Sequence, residues 1–180
     1  MTWGTNDAPG MPFNQMVGFP VVLTLHTTDK GLRLFANPVE EIEKLYVQKH
    51  AWSDKAIPAD GSTPASGIEG ELFDIEAVID VGDAEELGLS IRGEEIVYNA
   101  KEEQLVFGES KAPLKAKDGS IRLRCIVDRT SVDIFANGGR IYMPCKLRAD
   151  DDNKSIAAFA RGGAAAATSI ELRELNSIWN

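Results

Sequence analysis

The chain holds little of what the commoner kinds of catalysis need. Its 180 residues contain two histidines, His26 and His50, and two cysteines, Cys125 and Cys145. Both histidines are read as surface or half-buried residues. The cysteine spacing is not a zinc pattern, and two histidines do little to complete one. No metal and no cofactor is expected. Each cysteine lies in an apolar, strand-like run, LRCIV and YMPCKL. A disulfide between neighbouring strands is one reading. Two buried free thiols, acting as small hydrophobes, is the favoured one, because a chain of this length needs no covalent staple.

Long apolar runs are also missing, so no membrane span is expected. The start, MTWGTNDAPG, has neither the basic nor the apolar region of a signal peptide, which leaves the compartment of any longer parent open, a secreted one included. Basic residues are in deficit: 19 Lys and Arg stand against 28 Asp and Glu, a formal net charge of −9. A polyanion would be repelled, so nucleic acid is excluded as a partner, whereas neutral ligands such as sugars are compatible. The 43% hydrophobic and 26% charged content is that of a globular domain with its own core, and disorder of the whole chain is excluded.

Residues 1–20 crowd Met, Pro, Phe and Gly into irregular apolar chain that needs a partner surface. Val21–His26, the turn Thr28-Asp29-Lys30-Gly31 and Leu32–Phe35 read as a hairpin. Asn37-Pro38 opens a helical segment, with Val39, Ile42 and Leu45 or Tyr46 at helical spacing and Glu40, Glu41 and Glu43 at its start. Residues 53–70 are rich in Ser, Pro, Gly and Ala and read as a loop. From residue 71 the period becomes two. Phe73, Ile75, Ala77 and Ile79 share one face, and Asp74 and Glu76 share the other, wet one. Leu87–Ile91, Glu95–Asn99, Gln104–Phe107, Ile121–Val127, Val132–Phe135, Arg140–Cys145, Ser155–Ala160 and Ser169–Leu175 follow. The four alanines of GGAAAATSIELREL favour helix by propensity alone. The glycines before them and Thr-Ser-Ile-Glu-Leu after them favour a closing strand. The pattern predicts an all-β, antiparallel two-sheet β-sandwich, jelly-roll-like in outline.

Asp128-Arg129-Thr130-Ser131 looks like a compact reactive set. A nucleophilic serine needs a base, usually histidine, and none lies nearby in the sequence. A four-residue hairpin turn with local side-chain bonds is the better reading. Asp150-Asp151-Asp152-Asn153 lacks the glycine and glutamate spacing of a calcium loop and reads as a solvated turn. The wet strand faces carry Asp74, Glu76, Arg92, Arg122 and Arg124. Surface ion pairs of small value are the plain reading. The sharper one is a sugar-binding groove, since guanidinium and carboxylate groups suit hydroxyls.

Five stretches together resemble one family: residues 11–46 (beginning MPFNQMVGFP), GELFDIEAVID (70–80), LGLSIRG (87–93), residues 112–140 (containing DRTSVDIFANGG) and ELNSIW (174–179). They are similar to the C-terminal part of family-32 glycoside hydrolases, the levanases, inulinases, invertases and related β-fructofuranosidases. The resemblance implies a remnant of the catalytic β-propeller at 1–37, a helical linker at 38–52 and a C-terminal β-sandwich at 53–180. It also implies a partner, the catalytic propeller. The family's three catalytic acids sit in a WMNDPNG-type motif, an Arg-Asp-Pro motif and a Glu-Cys motif. None of these strings occurs here, so no catalytic residue is assigned and the chain alone is expected to be inactive. It is then a fragment, or a neighbouring chain supplies the propeller. A fructose- or fructan-binding module and a self-associating module are the alternatives.

Overall fold

A computed structural model describes residues 3–5, 15–59, 67–149 and 152–178. Most of the apolar segment 1–20, part of the expected 53–70 loop, and Asp150 and Asp151 lie outside the described residues. Two short antiparallel ladders come first: β1 (Trp3–Thr5) with β2 (Gln15–Val17), and β3 (Val21–Thr28) with β4 (Gly31–Pro38). A 3-10 helix, Glu40–Leu45, leads into β5 (Tyr46–Ile57). Then come β6 (Phe73–Asp80), β7 (Glu86–Ile91), β8 (Glu94–Asn99), β9 (Gln104–Phe107) and β10 (Ser110–Pro113). The last five are β11 (Ser120–Val127), β12 (Ser131–Ala136), β13 (Ile141–Lys146), β14 (Ile156–Arg161) and β15 (Ala165–Leu175).

Two antiparallel sheets face each other. One has the order β10-β9-β8-β7-β14 and the other β13-β12-β11-β6-β15-β5. The expected alternation holds in both. Phe73, Ile75, Ala77 and Ile79 from β6 and Ile121, Leu123, Cys125 and Val127 from β11 meet Leu87, Leu89 and Ile91 from β7 in one continuous core. This is the all-β sandwich that period two requires, since one face of each sheet must leave water. The alanine run enters β15 as strand. Ala165 and Ala167 are buried and Ala166 is exposed, so cross-strand packing decides against helical propensity. Both cysteines are free and buried in the core.

Two expectations change. The helical segment is one six-residue 3-10 helix, and residues 46–57 are neither helix nor loop. They form the edge strand β5, paired along β15 with Trp52 opposite Ile170 and Ile57 opposite Ala165. Polar composition hid this strand, because an edge strand exposes much of its length to water. Asp54, at φ 51°, is left out of that ladder. The short strand β10 also went unread. It ends on Pro113 at a sheet edge, where a missing N–H costs nothing.

The β3–β4 hairpin is tied to the sandwich at one end. The Ala36 N–H donates to the Gly139 carbonyl at 2.9 Å, while the Val39 N–H, donating to Pro20 O at 3.2 Å, closes the open end of the hairpin itself. Gly139 has φ 87°, and a Cβ on it would stand 2.2 Å from Ala36 O. Its neighbour Gly138, at φ 71°, has nothing within 4 Å of such a Cβ. Gly138→Ala therefore carries backbone strain alone and should lower stability by about 1 kcal/mol. Gly139→Ala adds the clash and should cost about 3 kcal/mol or more. Urea unfolding followed by circular dichroism compares the two, and equal losses would exclude a tight hairpin junction.

Candidate functional site

The outer face of the six-stranded sheet is not uniformly wet. Ile126 and Phe135 project from it and pack against Ile42 of the 3-10 helix, with Phe19, Val21, Tyr46, Tyr142 and Leu175 around them. The chain before β5 thus folds back across this face. Beneath it lies Asp74, placed on the wet side by sequence but 0% exposed. A buried carboxylate persists only with charged or hydrogen-bonding partners. Arg124 supplies a two-pronged contact, Nε to Oδ1 at 3.0 Å and Nη2 to Oδ2 at 2.7 Å, and the Tyr46 hydroxyl donates to Oδ2 at 2.6 Å. Burial, followed by the Asp74 contact, pushes the Tyr46 hydroxyl up to about 12, so it stays a donor through alkaline pH.

The network continues along the strands. Arg173 lies 5.2 Å from the Tyr46 ring centroid and donates to Glu76 at 2.9 Å and to Glu171. Lys49 donates to Glu171 at 2.8 Å. The Lys49 and Arg173 contacts, Lys49 first, hold the Glu171 carboxyl below its ordinary range. Strand pairing explains this grouping. Glu76 lies opposite both Arg124 of β11 and Glu171 of β15, so charges from three strands meet on one face.

Beside this network a groove of about 410 Å³ opens between the sheet and the base of the hairpin. It is lined by Glu76, Arg122, Arg124, Glu171, Phe135 and Asn37, with Val78, Ser169 and the Gly138-Gly139 turn completing it. Of the five residues singled out from sequence, Glu76, Arg122 and Arg124 come together here. Asp74 lies under them as the anchor of Arg124. Arg92 does not join them. It sits at φ 52° in the β7–β8 turn, is 3% exposed, and donates to Asn153 O at 3.2 Å and to Arg129 O at 2.8 Å. It clamps the β11–β12 turn to a neighbouring loop. Sequence reasoning missed Tyr46, Arg173 and Glu171. The alternation Glu171-Leu172-Arg173 was visible, but the adjacency of β15 to β6 was not.

The Asp128–Ser131 segment is the expected turn. The Asp128 N–H donates to Ser131 O at 2.9 Å, the Asp128 carboxylate accepts from the Arg129 N–H at 2.7 Å, and Arg129 pairs with Glu71 at 3.2 Å. Asp133, two residues beyond, is buried. It accepts the Phe19 N–H at 3.2 Å and the Tyr142 hydroxyl at 2.5 Å, and so fastens the N-terminal segment to the sandwich. Burial raises its carboxyl above the ordinary range against the pull of these two donors, and nearby Asp128 adds to the rise.

The fold and this face define an all-β module with a polar groove and an apolar N-terminal hairpin. The model of glycosyl hydrolases family 32 C terminal matches residues 41–174, and the chain belongs to that family. It is 26% identical to a levanase of Bacillus subtilis (strain 168) over 197 aligned positions, covering 97% of this chain and 29% of the levanase. A levanase of Bacillus sp. (strain L7) is 24% identical, with 99% of this chain and 22% of that protein covered. Among solved structures, the exo-inulinase from Aspergillus awamori superimposes with a TM-score of 0.81 at 18% identity, over 96% of this chain and 38% of that one. A fructofuranosidase from Schwanniomyces occidentalis complexed with fructose gives 0.66 at 15% identity, over 94% and 42%. These structural likenesses are of fold. The chain spans less than a third of the length of either levanase.

Two outcomes follow from this geometry. Asp74→Ala leaves Arg124 without its buried partner and should cost about 3 kcal/mol in chemical unfolding. A loss under about 0.5 kcal/mol would mean that the clasp is a surface pair. For Asp133 the folded carboxyl titrates above the unfolded one. Its favourable contribution is therefore full below the unfolded value and is lost as pH rises through the folded one. Unfolding measured at about pH 3 and pH 7 should show Asp133→Asn gaining on the parent chain toward neutral pH. The opposite slope would refute burial as the dominant influence.

Proposed function

We propose that this chain is the non-catalytic C-terminal β-sandwich of a β-fructosidase that hydrolyses fructans or sucrose, and that it supports and assembles the catalytic propeller. The observation that carries the reading is the uncovered face of the β3–β4 hairpin. Leu23, Leu25, Leu32 and Leu34 are 55–63% exposed, and in the ladder Leu25 lies opposite Leu34. Four leucines on one side of a two-stranded ribbon are unusual for a surface facing water and mark a contact face. Family membership and the small share of each relative that is matched point to a neighbouring domain as what covers it. The missing catalytic motifs agree, since the chemistry then belongs to that domain.

On this reading residues 1–37 belong with the propeller, the 3-10 helix links the two, and the sandwich begins at β5. A second reading, a module that binds fructose or fructan, draws support from the polar groove. The names of the relatives, levanase and exo-inulinase among them, supply the sugar class.

Replacing Leu25 and Leu34 together with Lys tests the first reading. Both are exposed, so the stability of the chain alone should change by no more than about 0.5 kcal/mol. In a protein that also carries the propeller, loss of the two buried leucines should remove about 3 kcal/mol of docking, read as a lower unfolding temperature and soluble yield. Unchanged stability of that longer protein would count against the reading. Release of fructose from sucrose, inulin or levan by the chain alone at an enzyme-like rate would sink it outright.

A further inference from the structure

We propose that the groove on the outer face of the six-stranded sheet binds a short neutral saccharide through its adjacent hydroxyls. This rests on the carbohydrate-binding reading above and adds to it a place and a chemistry. Charge comes first. Arg122 and Arg124 face Glu76 and Glu171 around the groove, and their formal charges cancel. An ion of either sign therefore meets as much repulsion as attraction, whereas a hydroxyl, both donor and acceptor, is served by both kinds of group.

Vacant hydrogen-bonding capacity comes second. Among the described residues the Arg122 guanidinium has no ion-pair or hydrogen-bond partner, and its planar fork spans two neighbouring oxygens. Arg173 occupies Oε1 of Glu76, and the side chain is 46% exposed, so the carboxylate keeps lone pairs for a ligand donor. Asn37 adds an amide from the hairpin side, and half-buried Val78 adds an apolar patch against which the C–H face of a sugar ring can lie.

Rigidity comes third. Asp74 holds Arg124 in place and Arg173 holds Glu76, so the main side chain left to order on binding is Arg122. At about 410 Å³ the groove falls within the roughly 300–1,000 Å³ of ordinary ligand pockets. That suits one or two sugar units and is too small for a folded partner.

The test uses the full isotope-labelled chain, titrated with fructose, a levan-type oligosaccharide and an inulin-type oligosaccharide, with citrate as the anionic comparison. Amide shifts in the NMR spectrum should be confined to residues 76–78, 122–124 and 169–171, to Asn37 and to the Gly138-Gly139 turn, with millimolar dissociation constants. Arg122→Ala should weaken binding about tenfold, the value of one charge-assisted contact, with the unfolding midpoint unchanged. Glu76→Gln should weaken it while Arg92→Lys leaves it unaltered. Saturable shifts confined to another face would overturn this location while leaving carbohydrate binding itself intact. No shift with any saccharide at tens of millimolar would overturn both. Saturation by citrate alone would make the groove an anion site and overturn the saccharide assignment, as would unchanged binding by Arg122→Ala.

Discussion

A carboxylate removed from water organises much of this molecule. Asp74 sits under the folded-back chain with no exposed surface, so it must be met by Arg124 and by the Tyr46 hydroxyl. Arg124 comes from the neighbouring strand β11, and Tyr46 is the first residue of β5 at the far side of β15. One side chain thus ties together β6, β11 and the exit of the linker. With Tyr46 held there, the 3-10 helix must lie across the sheet, Ile42 must cover Ile126 and Phe135, and the hairpin must emerge beside the β12–β13 turn. The groove is the space left between that hairpin and the charged strands.

The two sides of the large sheet illustrate what a single sequence discloses. The inner side was legible, because Phe73, Ile75, Ala77 and Ile79 repeat every second residue and burial is all that face requires. The turn at Asp128–Ser131 was legible for a similar reason: both flanking runs are strands, and the residues between them bond to one another. The outer side was not. Asp74 looks like any solvent-facing acid until one knows that residues 39–46 return over it. Arg92 extends the alternation of β7 by one residue in the sequence, much as Arg122 and Arg124 alternate in β11, but it lies in the β7–β8 turn. It belongs to the other sheet, and its left-handed backbone turns it inward. Strand β5 escaped notice because, as an edge strand paired among the described residues only with β15, it is largely exposed and polar and shows no clear alternation. Of the five residues singled out, Glu76, Arg122 and Arg124 line the groove, whereas Asp74 and Arg92 are buried by tertiary neighbours that the sequence does not show.

The charged face and the apolar ribbon divide the outer surface between different physical tasks. The ribbon offers area without hydrogen-bonding detail, which suits firm attachment of a large neighbour. The groove offers detail with little area, which suits weak, orientation-specific contact with something small. The two lie at opposite ends of the same hairpin: Asn37 borders the groove, and Leu25 and Leu32 approach the Thr28–Gly31 turn.

The bond from Ala36 to Gly139, with the Asp133 grip on Phe19, bears on where the chain can be divided. A segment that would be counted with one module is fastened to the body of the other. Cutting the gene at the linker would separate the hairpin from the glycine turn it was shaped against, and would leave Asp133 buried with one donor fewer. A piece that keeps both bonds must include the chain from Phe19 onward, although the family match itself starts at residue 41.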